Sequence, residues 1–235
     1  WRFDEPHPSY LMTLAAGEFS EITDKAGSIP LSYLVPKGRE ADAKRTFART
    51  KEMIRHFGEV LGVPYPWNRY AQIVVSDFIF GGMENTTATT LYEHVLLDAR
   101  AELDVTSDDL IAHELAHQWF GDLVTCRDWS EGWLNEGFAT HFEHVWREKH
   151  LGRDEYEYGI KVDLDSYLAE AHGRYRRPIV CVDYDSALDL FDRHLYEKGG
   201  LVLHTLRAEL GSELFFKGVQ LYLKRHAKSI VETRD

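Results

Sequence analysis

The sequence predicts an α+β fold in which a lobe containing a mixed sheet precedes a helical lobe. Over the first ~80 residues, several stretches alternate apolar and polar side chains, which is the period of half-buried strands. After about residue 105, apolar residues instead recur at helical spacing almost to the end of the chain. We therefore expect a single domain over residues 1–235, with the sheet lobe at about 1–105, the helical lobe at about 106–235, and a site where the lobes meet.

The first lobe has three strand-like stretches and one helix. The helix is amphipathic over about Ala41 to Leu61, and Gly62 and Pro64 close it. The strand-like stretches are residues 9–19 (SYLMTLAAGEF), 29–36 (IPLSYLVP) and 70–80 (YAQIVVSDFIF). The last of them stops at Gly81-Gly82.

The second lobe carries helical spacing in five segments, several of which end in glycine. Thr106 and Asp109 fit a capping box at the start of the first helix, and Gly121 closes it. The segments lie near residues 107–120, 131–151, 154–171, 190–210 and 212–227. The chain closes on SIVETRD, a helix-start signature with no helix behind it, and it opens without methionine. We therefore expect a piece of a longer protein.

Composition excludes several kinds of partner. Twenty-seven Lys and Arg against 39 Asp and Glu give a net charge of −12, which argues against nucleic acid and anionic membranes. No apolar run approaches the about 20 residues of a membrane span, and no signal peptide is visible, so a cytoplasmic location is favoured. Cys126 and Cys181 form no disulfide framework or zinc ribbon, and we expect two buried thiols.

The segment HELAH, residues 113–117, predicts a metal site on a helix. His113 and His117 stack one turn apart, so both imidazoles can reach one metal ion. Glu114 is offset by about 100° and can contact a water at the metal without ligating the ion. Neutral imidazoles suit zinc, and a catalytic zinc site keeps one coordination position open. The alternative is a chance match within a core helix.

A third ligand is needed, and the next predicted helix offers Glu136. Its neighbours Trp133, Leu134 and Phe138 are apolar, so a solvated helix face explains Glu136 poorly. Gly137 costs a helix up to about 1 kcal/mol relative to Ala, which indicates a close approach by another element.

Glu84 is the other unusual carboxylate. It follows the predicted strand and Gly81-Gly82, and no Lys or Arg lies between Arg69 and Arg100. The local sequence therefore gives this glutamate no cationic partner.

Three motifs together resemble the M1 family of zinc aminopeptidases, gluzincins that include alanyl aminopeptidases and leukotriene A4 hydrolase. They are GGMEN at 81–85, HELAHQWFGD at 113–122 and WLNEGFA at 133–139, with 18 residues between His117 and Glu136 as in the family. Downstream, YEKG at 196–199 resembles the family's catalytic tyrosine motif. The likeness covers essentially the whole chain and implies a thermolysin-like catalytic domain. It also implies that the family's flanking N-terminal β domain and C-terminal helical domain are absent from this segment.

The resemblance implies a role for each motif residue. His113, His117 and Glu136 would bind one zinc ion per chain. Glu114 would serve as the general base, and the Tyr196 hydroxyl would stabilise the oxyanion of the tetrahedral intermediate.

For Glu84 the resemblance implies that the missing cation belongs to the substrate, as the free α-ammonium group of a peptide. Gly81, Gly82, Met83 and Asn85 complete the expected substrate-binding segment, where an extended peptide can pair with the sheet edge. The alternative for Glu84 is structural, as an ion pair with a distant arginine or as a turn cap.

Two residues one and two turns after Glu136 complete the expectations. Thr140 stands where thermolysin-type enzymes place an aspartate behind a histidine ligand, so the support of that ligand differs here. Glu143 is expected either to support the metal site or to assist at the amine site.

The resemblance leaves three kinds of function to distinguish. An aminopeptidase is the leading hypothesis, with peptides carrying a free N-terminus as substrates. An endopeptidase or an epoxide hydrolase could use the same zinc scaffold, although Glu84 argues against an endopeptidase. A non-catalytic binding module is the third alternative, and a degenerate chain would be expected to lack the base or a ligand, both of which this chain keeps.

Overall fold

A computed structural model describes residues 3–235 and confirms an α+β fold with the sheet first and the helices after it. The strands are β1 (Phe19–Ala26), β2 (Ile29–Pro36), β3 (Tyr70–Val75), β4 (Gly82–Met83), β5 (Ala88–Tyr92), β6 (Val124–Cys126) and β7 (Ser229–Val231). The α-helices are α1 (Glu40–Thr46), α2 (Thr50–Leu61), α3 (Asp108–Ala116), α4 (Trp133–Leu151), α5 (Arg153–Gly173), α6 (Glu197–Leu210) and α7 (Ser212–His226). Short 3₁₀ turns lie at Ser9–Leu11, Glu93–Val95, Ala101–Leu103, Trp129–Glu131 and Ala187–Leu190.

The main sheet has five strands in the order β1-β2-β3-β5-β4. Strands β2, β3 and β5 are parallel, whereas β1 and β4 run antiparallel to their neighbours. The sheet is therefore mixed, as predicted, and β4 forms one of its edges.

One core joins the two lobes. Phe57 of α2 packs edge-to-face on Trp119, just after α3, and on Phe142 of α4, with ring centroids 6.3 and 5.2 Å apart. All three side chains are buried. Fully burying a large apolar side chain contributes about 1.5–3 kcal/mol, so this contact fixes the helical lobe against the sheet lobe.

Helices α4 and α6 approach closely through glycine, as the cost of Gly137 predicts. A Cβ placed on Gly137 would lie 2.8 Å from the Cα of Gly199, and one on Gly199 would lie 2.7 Å from the Cα of Gly137. Neither position has room for a side chain. Because Glu136 precedes Gly137, this contact also sets the position of Glu136 relative to α6.

One strand prediction in the first lobe was wrong, and another was too long. Residues 9–18 form a 3₁₀ turn and irregular chain, in which Leu11 is buried and Leu14 is 93% exposed. The carbonyl of Leu11 accepts a hydrogen bond from Asn85 Nδ2, which ties this segment to the end of β4 instead of to a strand ladder. The strand predicted to run to Phe80 ends at Val75, and the residues after it are half-buried or exposed.

Several helix boundaries also differ. The predicted helix 41–61 is two helices, separated where Phe47 turns into the core and stacks on Tyr33 at 5.0 Å. Helix α6 begins at Glu197 rather than near residue 190, since the Asp192 carboxylate accepts hydrogen bonds from the backbone of the residues after it. Gly62, with φ +55°, ends α2 as predicted.

The expected capping box at residues 106–109 does not form. Thr106 Oγ1 accepts a hydrogen bond from the Asp108 N–H, while the Asp109 carboxylate binds Arg147. Residues Ser229–Val231, predicted as a helix start, form β7 beside β6. In both places long-range partners replace the local pattern.

The cysteines are as predicted. Cys126 and Cys181 are both free and buried. Within residues 3–235, no helix combines the length and the apolar character that crossing a bilayer requires.

Candidate active site

The structure brings the three predicted metal ligands together between α3 and α4. Nε2 of His113 and Nε2 of His117 lie 3.2 and 3.1 Å from Oε2 of Glu136, and 3.1 Å from each other. All three residues are at least nine-tenths buried. The HELAH spacing on one helix and the glycine contact of the other therefore direct three donor atoms at one point.

The second nitrogen of each imidazole is already bound, which suits a metal site. His113 Nδ1 lies 2.7 Å from Glu143 Oε1, and His117 Nδ1 lies 2.8 Å from the carbonyl oxygen of Phe120. Because a carbonyl can only accept, the neutral form of His117, which is the form that binds a metal, carries its proton on Nδ1 and directs the Nε2 lone pair at the cluster. Two neutral imidazoles and one carboxylate with such support are a fitting donor set for zinc.

The electrostatics of the cluster also favour a cation. Burial raises the pKa of Glu114 to about 8, although the two histidines act to lower it. Burial alone would lower the pKa of His117, but Glu136 and Glu84 raise it to about 9. The cluster therefore contains more buried carboxylate than its imidazoles balance.

Glu114 lies directly over the edge strand. Its Oε2 is buried and makes no hydrogen bond within residues 3–235. A Cβ placed on Gly82 would be only 2.3 Å from Glu114 Oε1, so a side chain at this position of β4 would collide with the carboxylate. Glycine lets the carboxylate keep this position, whereas a side chain would force it to move.

Glu84 is buried at the end of β4, with 6% of its surface exposed. The charged groups that act most strongly on it are His117, Glu136 and His113, and no lysine or arginine of residues 3–235 is among them. Burial raises the pKa of Glu84, an effect that His117 partly offsets. This carboxylate has no lysine or arginine partner in the described part of the chain.

Gln118 fixes the backbone around Glu84, a role that sequence reasoning missed. Its Nε2 donates to the Glu84 carbonyl at 3.1 Å, and its Oε1 accepts the Thr87 N–H at 2.9 Å. The residue follows His117 directly, so the helix that carries the ligands also holds the loop that carries Glu84. Its position beside the motif was the available signal.

Tyr196 directly precedes α6 and lines a cleft beside the cluster. Its ring centroid lies 6.0 Å from that of His113, and burial raises the pKa of its hydroxyl. The phenol therefore stays protonated and can donate a hydrogen bond.

The three predicted metal ligands line one cleft of about 570 Å³ together with Glu114, Glu84 and Tyr196. Apolar side chains that sequence reasoning missed form much of its wall, and Phe191 lies 6.3 Å from Phe80 and 6.2 Å from Trp129 between ring centroids. The lining residues are Tyr10, Phe80, Gly81, Gly82, Met83, Glu84, Leu110, His113, Glu114, His117, Trp129, Glu136, Glu143, Ala187, Leu188, Phe191 and Tyr196.

Three further predicted residues lie in or near the cleft. Asn85 is not among the lining residues, because its amide binds the Leu11 carbonyl and the Thr90 hydroxyl. Glu143 lines the cleft and also holds His113 from behind. Thr140 is buried, and its Oγ1 makes no hydrogen bond within the described residues, so Glu143 rather than Thr140 supports that ligand.

A second group of metal-ligand type lies beyond the cleft. Donor atoms of Glu170, Asp192 and His194 all fall within 4.8 Å of one another. However, Arg177 binds both oxygens of Asp192, at 2.8 and 2.6 Å, and the Tyr175 hydroxyl donates to one of them at 2.7 Å. An arginine already supplies the positive charge here, so we interpret this group as structural.

Comparison with known proteins points to one family. The profile of the peptidase family M1 domain matches residues 45–235. The chain is 34% identical to a probable aminopeptidase 2 of Sulfurisphaera tokodaii over 94% of its length, and 36% identical to aminopeptidase N of Streptomyces lividans over 97%. It is 31% identical to a leucyl aminopeptidase of Saccharolobus solfataricus over 100% of its length.

These relatives are much longer than the chain. It spans 29%, 28% and 31% of their respective lengths.

Proposed function

This chain belongs to the M1 family of peptidases, and we propose that it is the catalytic domain of a zinc aminopeptidase acting on peptides with a free α-amino group. The observation that carries the proposal is the buried Glu84, which has no lysine or arginine partner within residues 3–235 and stands beside three converging metal-ligand atoms. The flanking β and helical domains of longer family members would complete the protein.

His113, His117 and Glu136 would hold the zinc ion. Their donor set fits zinc, and the partners of both Nδ1 atoms keep the Nε2 lone pairs directed inward. When bound, the ion supplies Lewis acidity, polarising the scissile carbonyl and making water more acidic.

Glu114 and Tyr196 would carry the proton and charge steps. Glu114 is close to both the ligand cluster and β4, so its carboxylate can take a proton from the attacking water and return it to the leaving amine. The Tyr196 hydroxyl, protonated and facing the cleft, can donate to the oxyanion that forms as water adds.

The edge strand would set the direction of the substrate. Strand β4 pairs with β5 on one side and is the last strand of the sheet, so an extended peptide can add to its other side. Glu114 lies over Gly82, and Glu84 follows two residues later, about 7 Å further along a strand. A peptide whose ammonium group binds Glu84 therefore presents its first peptide bond near Glu114. This spacing favours removal of one residue over internal cleavage.

The test compares alanyl p-nitroanilide with its N-acetylated form, using the protein at its full natural length. Acetylation removes the positive charge, so we expect wild type to cleave only the free amine efficiently. Glu84→Ala should lose about 2 to 5 kcal/mol of transition-state stabilisation on the free amine, the usual cost of truncating one partner of a shielded charge pair. Its preference over the acetylated substrate should shrink, with unchanged zinc content, and Glu84→Asp should fall between.

Glu213→Ala is the matched control, because this glutamate has a side chain that is 85% exposed on α7. It should behave as wild type. If Glu84→Ala discriminates between the two substrates as sharply as wild type, Glu84 is structural and Glu143 is the next candidate for the amine site. Efficient cleavage of the acetylated substrate by wild type would instead indicate an endopeptidase.

A further inference from the structure

The four residues before Tyr196 form an unusually well-bonded turn. The backbone N–H groups of His194 and Leu195 both donate to Asp192 Oδ1 at 2.9 Å. The N–H of Arg193 donates to Glu170 Oε2 at 2.8 Å. Three consecutive N–H groups just before α6 are thus bound by carboxylate side chains, and that of Leu195 also donates to the Asp192 carbonyl at 3.1 Å.

The carboxylate that binds two of these groups is itself fixed. Arg177 holds Asp192 through two parallel hydrogen bonds, and the side chains of both residues are at most 10% exposed. Arg177 also donates to the carbonyl of Leu190, on the other side of Asp192. Bidentate, buried pairs of this kind set geometry more strictly than single surface contacts.

Tyr196 is held on its other side as well. Its own N–H donates to the Asp192 carbonyl at 3.3 Å, and its carbonyl accepts the N–H of Gly200 in the first turn of α6. That turn meets α4 at the contact of Gly199 with Gly137, next to Glu136. The backbone of Tyr196 is therefore fixed between the Asp192 turn and the helix that carries a predicted zinc ligand.

We propose that Asp192, locked by Arg177, is a positioning residue that holds the Tyr196 hydroxyl where the oxyanion forms. The inference rests on the proposed function, since it assigns Asp192 no contact with the substrate. The group of Glu170, Asp192 and His194 would then serve the reaction by holding the turn before Tyr196, without binding a metal ion. A hydroxyl misplaced by about 1 Å can cost on the order of 10²-fold in rate, so a rigid turn matters here.

The main test is a double-mutant cycle on kcat, in the protein at its full natural length. Tyr196→Phe should lower kcat by about 10²- to 10³-fold with little change in KM, as for loss of one oxyanion donor. Asp192→Ala should lower kcat by about 10- to 100-fold, again with KM little changed. Combined with Tyr196→Phe, Asp192→Ala should cause no further loss, because the hydroxyl it positions is already gone.

Rescue and a matched control separate positioning from general damage. Asp192→Asn keeps an oxygen for the two N–H groups and should recover part of the kcat lost in Asp192→Ala, since its amide nitrogen cannot accept the bonds from Arg177 and Tyr175. Asp189 caps an adjacent turn by accepting the Ser186 N–H, so Asp189→Ala removes a similar bond without touching the Asp192 turn. Its kcat should equal that of wild type.

A readout independent of turnover is amide hydrogen exchange. In Asp192→Ala the amides of His194 and Leu195 should exchange faster, while those of α4 keep their protection. An equal loss of kcat from Asp192→Ala in the wild-type protein and in the Tyr196→Phe variant, or unchanged exchange at these two amides, would overturn the proposal. A normal kcat in Tyr196→Phe alone would instead refute the oxyanion role of Tyr196 in the proposed function.

Discussion

The helical lobe contains two clusters built from histidine and carboxylate side chains. They differ in whether an arginine of the chain supplies the balancing positive charge. In one, His113, His117 and Glu136 converge with no lysine or arginine of the described residues among them. In the other, donor atoms of Glu170, Asp192 and His194 also lie within 4.8 Å of one another, but Arg177 binds Asp192 at both oxygens.

The difference shows how to separate a binding site from a structural network. Uncompensated buried carboxylates are costly, so a protein either supplies a cation from its own chain or leaves the position to a ligand. The first cluster opens on a cleft lined by Glu84 and Glu114, whereas the second holds a backbone turn. Convergence of donor atoms alone would not distinguish them.

We call the group of His113, His117 and Glu136 the open cluster, and the group of Glu170, Asp192 and His194 the closed cluster. Removing the proposed base beside the open cluster should have the largest effect. Glu114→Gln should keep its zinc and its fold but lose about 10²- to 10⁴-fold in kcat, because a general base acts in the chemical step. Glu170→Gln, the matched change in the closed cluster, should keep most of its turnover, since an amide oxygen can still accept the Arg193 N–H. Steady-state kinetics on alanyl p-nitroanilide measure both, and a near-normal kcat in Glu114→Gln would assign the proton transfer to another group.

Removing the cation from the closed cluster should instead reduce stability. Arg177→Met leaves Asp192 buried and uncompensated, and breaking such a pair costs about 3–5 kcal/mol. The control is Lys161→Met, which removes an exposed ion pair with Asp165 and should change stability little. Urea unfolding followed by circular dichroism gives both values. If the two variants were equally stable, the Arg177 pair would not hold the second cluster together.

The zinc affinity of the open cluster should depend on pH, and this effect is the smallest of the three. Glu136 and Glu84 raise the pKa of His117 to about 9, so a proton occupies this imidazole below that pH when no metal is bound. Zinc must displace it, and this proton alone should lower the apparent affinity by up to about tenfold for each pH unit below 9. Titration against a chelator between pH 9 and 6 measures this slope. A constant affinity over that range would contradict the raised pKa of His117.

Local sequence patterns correctly predicted the features that depend on neighbouring residues. The HELAH segment, the close approach at Gly137 and the left-handed Gly62 at the end of α2 all follow from short-range spacing or backbone geometry. The three predicted ligands lie on two helices whose existence the apolar spacing indicated. The sequence was sufficient for these features because each depends on residues within one or two helical turns.

The remaining features depend on contacts between distant residues. Strand β5 was missed because its five residues are mostly small or threonine and carry little alternation. The predicted start of α6 near residue 190 was wrong because Asp192 binds the backbone of the turn after it. The position of Gln118 beside the HELAH motif was a signal, but its contact with the Glu84 loop could not be predicted, since it joins residues 34 positions apart.

Zinc content per chain is the most direct test of the claim that only the open cluster binds metal. Elemental analysis of the purified protein should give about one zinc per chain, since two imidazoles and one carboxylate complete a catalytic zinc site. His117→Ala should lose that zinc, and His194→Ala, the matched change in the closed cluster, should retain it. Full zinc content in His117→Ala, or loss of zinc only in His194→Ala, would contradict the assignment.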